Sequence, residues 1–147
     1  MSKVAVVTGG TSGIGRATAL ALKDAGYTVY ELSRRAEGVE GLHHISADVT
    51  DQQAVNDAAA QIMEAEGRID VLVNNAGITR DGLLLRMSEA DFDAVLNANL
   101  KGAFLCCKEA ARRMVRQRHG RIINLSSVVA LRGNAGQANY AASKAGL

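Results

Sequence analysis

Ser127, Tyr140 and Lys144 have the side-chain types and the spacing to move a proton. Tyr140 and Lys144 are four positions apart, so on a helix they share a face. A phenol titrates near pH ~10 and on its own is a poor base at neutrality. An ammonium group held beside it favours the phenolate. Ser127 could then hydrogen-bond the oxygen of a carbonyl or alcohol while Tyr140 gives or takes the proton. A lone Tyr-x-x-x-Lys pair is common on exposed helices, so the elements that carry it decide the reading.

Those elements follow from an alternation of apolar runs. Lys3–Thr8 is a short β-branched run that ends in glycine, the pattern of a buried parallel strand. Gly9, Thr11, Ser12, Gly13, Ile14 and Gly15 follow, and Arg16–Ala25 then has helical apolar spacing. Strand, glycine turn and helix in that order form a phosphate-binding context. The Gly-x-x-x-Gly-x-Gly spacing differs from the Gly-x-Gly-x-x-Gly fingerprint. Thr28–Ser33 reads as the second strand. Its tip carries Ser33, Arg34 and Arg35 and no carboxylate. An acidic residue there suits NAD, whereas a guanidinium suits the 2′-phosphate of NADP. NADP(H) is therefore the expected cofactor ahead of NAD(H), with Arg34 the main contact and Arg35 its helper.

Leu42–Ala47 is the third strand. Ala36–Gly41 is too short for a crossover helix, so a loop or single turn should stand there. His43 and His44 alternate across that strand, which argues against a shared metal. Asp48 and Val49 close it, and Thr50 is the expected N-cap of a helix running to Gly67. Ile69–Asn74 is the fourth strand and delivers Asn75, Ala76 and Gly77 to its C-terminal end, where open α/β sheets bind ligands. Ser88–Asp91 looks like a capping box. The long helix after it should bury a stripe through Phe92, Val95, Leu96, Ala103, Phe104, Cys107 and Met114. Asn99 falls inside that stripe, either as a satisfied core amide or as an amide that holds a water. Gly120–Ser126 is the fifth strand and brings Ser127 to the same edge. The expected fold is a Rossmann-like, doubly wound parallel sheet of three layers, α/β/α.

Bulk properties agree with a single domain of 147 residues, 48% hydrophobic and 22% charged. A formal charge of +2 argues neither for nucleic acid nor for an anionic membrane. The adjacent Cys106 and Cys107 lie in an apolar periodic run and read as small core residues. The run Val4–Val7 is too short for a signal sequence or a membrane span, which makes a cytoplasmic, reducing home the default. The basic run from Arg112 to His119 suits a solvated helix end.

Taken together, Thr8–Gly15, Asp48-Val49, Asn74–Gly77, Asn99, Ser127, Tyr140 and Lys144 resemble the short-chain dehydrogenase/reductase family in order and spacing. More narrowly, Asn74–Asp81, Arg118–Ile123 and Gly136–Leu147 resemble its 3-oxoacyl-[acyl-carrier-protein] reductases. That resemblance implies NADPH-dependent reduction of a 3-oxoacyl thioester. It implies Tyr140 as proton donor, Lys144 as the residue that lowers its pKa and binds the nicotinamide ribose, Ser127 on the substrate carbonyl and Asn99 on a relay water. It also implies a homo-oligomer, and an acyl carrier protein meeting Arg118. Members of the family continue past the helix of Tyr140 and Lys144 with two more strands, a Pro-Gly loop and substrate-covering helices. The expectation is thus an incomplete domain over residues 1–147, truncated within that helix, with its fifth strand as an open edge. Two other readings stay open: a reductase or dehydrogenase of other ketones or alcohols, and a non-catalytic NADP(H)-binding fragment.

Overall fold

A computed structural model describes residues 2–147. Five parallel strands form one sheet: β1 (Val4–Thr8), β2 (Thr28–Ser33), β3 (His43–Ser46), β4 (Val71–Asn74) and β5 (Arg121–Asn124). Their spatial order is β3-β2-β1-β4-β5, so the chain winds outward from β1 in both directions. Ala5 pairs with Val29 on one side and with Val71 on the other. The sheet thus reverses its strand order beside β1, where such folds open a crevice for ligands.

Alternate residues of a strand face opposite ways, and both faces are apolar here. Val4, Val6, Tyr30, Leu32, Ile45 and Leu72 pack with Val55, Ala58 and Ile62 of α2 (Gln52–Glu66) and with Leu105, Cys106 and Met114 of α4 (Gly102–Gln117). Ala5, Val7, Val29, Val71 and Val73 pack with Ala19 and Leu22 of α1 (Gly13–Asp24). This is the expected doubly wound arrangement. No helix stands between β2 and β3, as the short Ala36–Gly41 connection predicts. β3 and β5 form the two edges, and Ile122 and Ile123 of β5 are exposed.

Three local details differ from the sequence reading. α1 begins at Gly13 rather than at Arg16, with Ser12 in extended backbone at the N-cap. Asp51, not Thr50, caps α2: its carboxylate accepts from the amides of Gln53 and Ala54 at 2.9 and 3.4 Å. Thr50 instead gives both its amide and its hydroxyl to Asp48. The third difference is in the long helix. α3 (Glu89–Leu96), capped by Ser88 as expected, runs into α4 through a π turn at Asn97–Lys101. Hydrogen bonds there reach back five residues instead of four, so the turn holds one residue more and rotates everything beyond it. Val95, Ala103 and Met114 are buried as expected, but Phe92 and Phe104 are 41% and 60% exposed and Cys106 takes the core position ahead of Cys107. Two further helices, α5 (Val129–Arg132) and α6 (Ala138–Gly146), follow β5. Among the described residues no helix is long and apolar enough to cross a membrane.

Candidate active site

The C-terminal ends of β1, β2 and β4 surround a cleft of about 630 Å³. Of the residues singled out from sequence, Gly9, Thr11, Ser33, Arg34, Arg35, Asp48, Val49, Ala76 and Gly77 line it. Ser12, Gly13, Ile14 and Gly15 form the adjoining start of α1. The Ser12 hydroxyl is not used in capping that helix, so its first amides point outward unmet by a side chain. Such a helix start suits an anionic group.

The loop keeps its shape through β4. Thr8 Oγ1 accepts from the amides of Asn75 and Ala76 at 3.1 and 3.0 Å. Asn75 Nδ2 donates to the carbonyls of Thr8 and Gly9 at 3.0 and 3.2 Å. Asn75 therefore acts from behind, as a strut under the glycine loop. Gly9 has φ +68, and a Cβ there would lie 3.0 Å from Ala76 Cα. A Cβ on Gly15 would lie 2.2 Å from the Gly9 carbonyl oxygen. Only hydrogen fits at that crossing.

At the other end of the cleft the tip of β2 holds a buried Ser33 hydroxyl with no hydrogen-bond partner, next to the exposed Arg34 and Arg35. An orphaned hydroxyl beside two guanidiniums fits a phosphate or sugar hydroxyl. Across from it, the Thr50 amide bond holds the Asp48 carboxyl below its ordinary value, against burial, helped by the Thr50 hydroxyl and the Arg34 charge. The Asp48 charge is thus kept, but one of its oxygens is spent on Thr50.

Gly77 joins the cleft to the other predicted residues. A Cβ on it would lie 3.1 Å from Asn99 Oδ1 and 3.6 Å from Lys144 Nζ. Asn99 is buried in the π turn, where its oxygen accepts from the Ile78 amide at 2.7 Å. Its Nδ2 donates to the Ile78 carbonyl and to Ser143 Oγ, each at 3.0 Å. This amide fastens the loop after β4 to α6. Lys144 is also buried, and its Nζ donates to the Leu125 carbonyl at 2.9 Å and lies 5.8 Å from the centre of the Tyr140 ring. Burial pushes the Lys144 ammonium below the ordinary lysine value. Tyr140 is half-buried on the same helical face, and Ser127 Oγ accepts from the Val129 amide at 3.2 Å.

Sequence reasoning passed over several residues that fix this geometry. Asn139 is fully buried and donates to the carbonyls of Arg80 and Asp91. Its oxygen receives the Tyr140 amide at 2.7 Å, so it sets the first turn of α6. Ser143 links Asn99 to the Tyr140 carbonyl, and Ser126 holds the Lys144 carbonyl at 2.7 Å. Arg80 and Ile78 add to the cleft lining. The readable signal was Asn139 and Ser143 at i and i+4, two polar residues on one face of a short helix.

Comparison with known proteins agrees with this geometry. A family model described as short chain dehydrogenase matches residues 3–147. Curated relatives include the 3-oxoacyl-[acyl-carrier-protein] reductase FabG of Thermotoga maritima, 47% identical over 99% of this chain. The proteins of the same name from Staphylococcus aureus and Aquifex aeolicus are 48% and 44% identical over 100% and 99% of the chain. The chain spans 63 to 65% of the length of these relatives. A five-stranded parallel sheet, a glycine loop under its first helix and an aligned tyrosine and lysine thus accompany similarity along nearly the whole sequence: this chain belongs to the short-chain dehydrogenase family.

Proposed function

We propose that the chain is the cofactor-binding and proton-transferring part of an NADP(H)-dependent reductase, acting on a 3-oxoacyl thioester to give the 3-hydroxy product. The observation that carries this reading is the buried Lys144 ammonium, on the Tyr140 face of α6 and against Gly77 of the cleft. A buried lysine with one carbonyl partner is costly as a purely structural feature. Over the Tyr140 ring it stands where a positive charge suits the anion left when a tyrosine gives up its proton to a carbonyl oxygen.

In this reading Gly9, Thr11, Ser12, Gly13, Ile14 and Gly15 hold the pyrophosphate, and Ser33 with Arg34 and Arg35 holds the 2′-phosphate. Asp48 and Val49 meet the adenine, and Ala76 and Gly77 form the floor under the rest, braced by Asn75. A nicotinamide held by these residues would supply the hydride for the carbonyl carbon. Ser127 orients the carbonyl oxygen and Tyr140 protonates it. Lys144 favours the resulting phenolate and reaches the nicotinamide ribose, while Asn99 keeps the π turn in place for a relay water. Residues 1–147 belong to a single dinucleotide-binding domain of a cytoplasmic homo-oligomer. Phe104 and Val115, exposed on α4, support the assembly. The names of the relatives and the exposed Arg118, at the end of α4 with φ 55, support an acyl carrier protein as the substrate's carrier.

The test is NADPH oxidation by the purified protein with an acetoacetyl thioester, beside Tyr140→Phe. Turnover that disappears in the variant is the expected result. Turnover with small ketones but not with the thioester would move the substrate elsewhere in the family. Cofactor binding without turnover of either would leave a binding domain alone.

A further inference from the structure

β2 carries a carboxylate where an apolar strand residue is the rule. Glu31 is completely buried, and one of its oxygens has no partner. Its other oxygen contacts Nδ1 of His44, thirteen positions later on β3. His44 Nε2 faces the main-chain oxygen of Arg35 at 3.0 Å. A carbonyl only accepts, so Nε2 carries a hydrogen and donates it. The contact between Nδ1 and Glu31 then holds one further hydrogen, on either atom. The side chains form a continuous path from the sheet to the turn that bears Arg34 and Arg35.

The path extends the other way as well. A Cβ on Gly10 would lie 2.6 Å from Glu31 Cβ, so the glycine loop rests directly on this side chain. On the far side, a Cβ on Gly38 would lie 2.4 Å from His44 Cβ and 3.0 Å from Glu31 Oε1. The Ala36–Gly41 connection therefore lies against the pair with its backbone. A crossover helix would ordinarily cover a parallel strand pair at this place. Here a hydrogen-bonded acid and imidazole occupy the space.

We propose that Glu31 and His44 form a positioning device that sets the Arg34–Arg35 turn relative to the glycine loop, and so sets the preference for the phosphorylated dinucleotide. This rests on the cofactor reading above. Neither Glu31 nor His44 lines the cleft, and they act on it through the main chain of Gly10 and Arg35. Loss of the tie frees the Arg35 carbonyl and leaves the two guanidiniums to sample other directions, which weakens a contact that depends on a planar donor fork. A dinucleotide lacking the 2′-phosphate makes no such contact and is nearly indifferent.

Dissociation constants for NADPH and NADH, measured on the purified protein, separate these effects. His44→Phe should weaken NADPH about tenfold and NADH less than about twofold. Glu31→Gln keeps the tie, because its amide can donate to Nδ1, and should preserve the preference for NADPH. If His44→Phe fails to fold, Gly38→Ala displaces the connection from His44 at an exposed site and carries the same expected loss. Equal weakening of both cofactors, or an unchanged ratio, would overturn the proposal. Arg34→Ala distinguishes the failures. A preference lost in Arg34→Ala but intact in His44→Phe overturns the tie and leaves the cofactor reading standing. A preference intact in Arg34→Ala, or no binding of either dinucleotide, overturns both.

Discussion

At the N-terminal ends of the strands, Asp70 is fully buried and both its oxygens are used. Arg68 donates to them through Nε and Nη2 at 2.7 and 2.6 Å, and the Val4 amide adds a third bond at 2.8 Å. Gln117 closes the same end by bonding both the amide and the carbonyl of Ile69. At the C-terminal ends the buried polar groups are left partly unspent. Ser33 Oγ has no partner, and Lys144 keeps one carbonyl for a group with three donors. One end of the sheet is satisfied and holds β1, β4 and α4 together. The other carries groups whose remaining capacity faces the cleft or the Tyr140 ring. Stability and chemistry are therefore separable in this fold, and substitutions at the two ends should have opposite signatures.

The largest separation is expected from Tyr140→Phe, which should cut turnover by about 10²–10⁴-fold and leave the melting temperature nearly unchanged. Calorimetry alongside initial rates checks both halves. Gly15→Ala should abolish cofactor binding while the sheet still folds, because its Cβ would drive into the Gly9 carbonyl; fluorescence titration with NADPH reads this directly. Asp70→Ala is the mirror case. It should cost about 3 kcal/mol in urea unfolding, since it leaves the Val4 amide and a half-exposed Arg68 without their acceptor. An Asp70→Ala protein as stable as the parent would break the comparison.

The same carboxylate predicts a pH dependence. Burial raises the Asp70 pKa, but the hydrogen bonds from Arg68 and the Val4 amide, with the charges of Arg68 and His119, more than offset it and leave the group below its ordinary value. A carboxyl depressed in the folded state binds protons more weakly there than in the unfolded chain. Its contribution is therefore complete above the unfolded value, near pH ~3.9, and is lost as pH falls through the folded one. Asp70→Asn should flatten that acid limb in a pH series of unfolding curves. The smallest effect is expected at the cap of α2, where Asp51→Ala should cost about 1 kcal/mol with no change in cofactor affinity.

What could be read from the sequence follows the same division. The strands were legible because a sheet buried on both faces demands unbroken apolar runs such as Val4–Val7 and Val71–Val73, and because glycine and asparagine mark their C-terminal ends. The residues of the cleft were legible for that reason. Glu31 was not, since the partner that makes its burial tolerable comes from another strand. Phe92, ahead of the π turn, and Phe104, beyond it, were misplaced because an apolar side chain does not by itself fix which face of a helix is covered, and no residue type announces the π turn around Asn99. Asp51 was missed as a cap because Thr50 precedes it, and only the distance to Asp48 shows which of the two is free.

The π turn also bears on how the protein breathes. Its hydrogen bonds close wider rings than those on either side, so the rod from Glu89 to Gln117 has a built-in seam. Below the seam, α4 is packed on α2 and β4; above it, α3 is packed on α6. Amide exchange should therefore divide at Asn97–Lys101, with α3 and α6 opening as one cooperative unit while α4 stays protected with the sheet. The segment bearing Tyr140 and Lys144 would then loosen and reclose over a platform that remains folded.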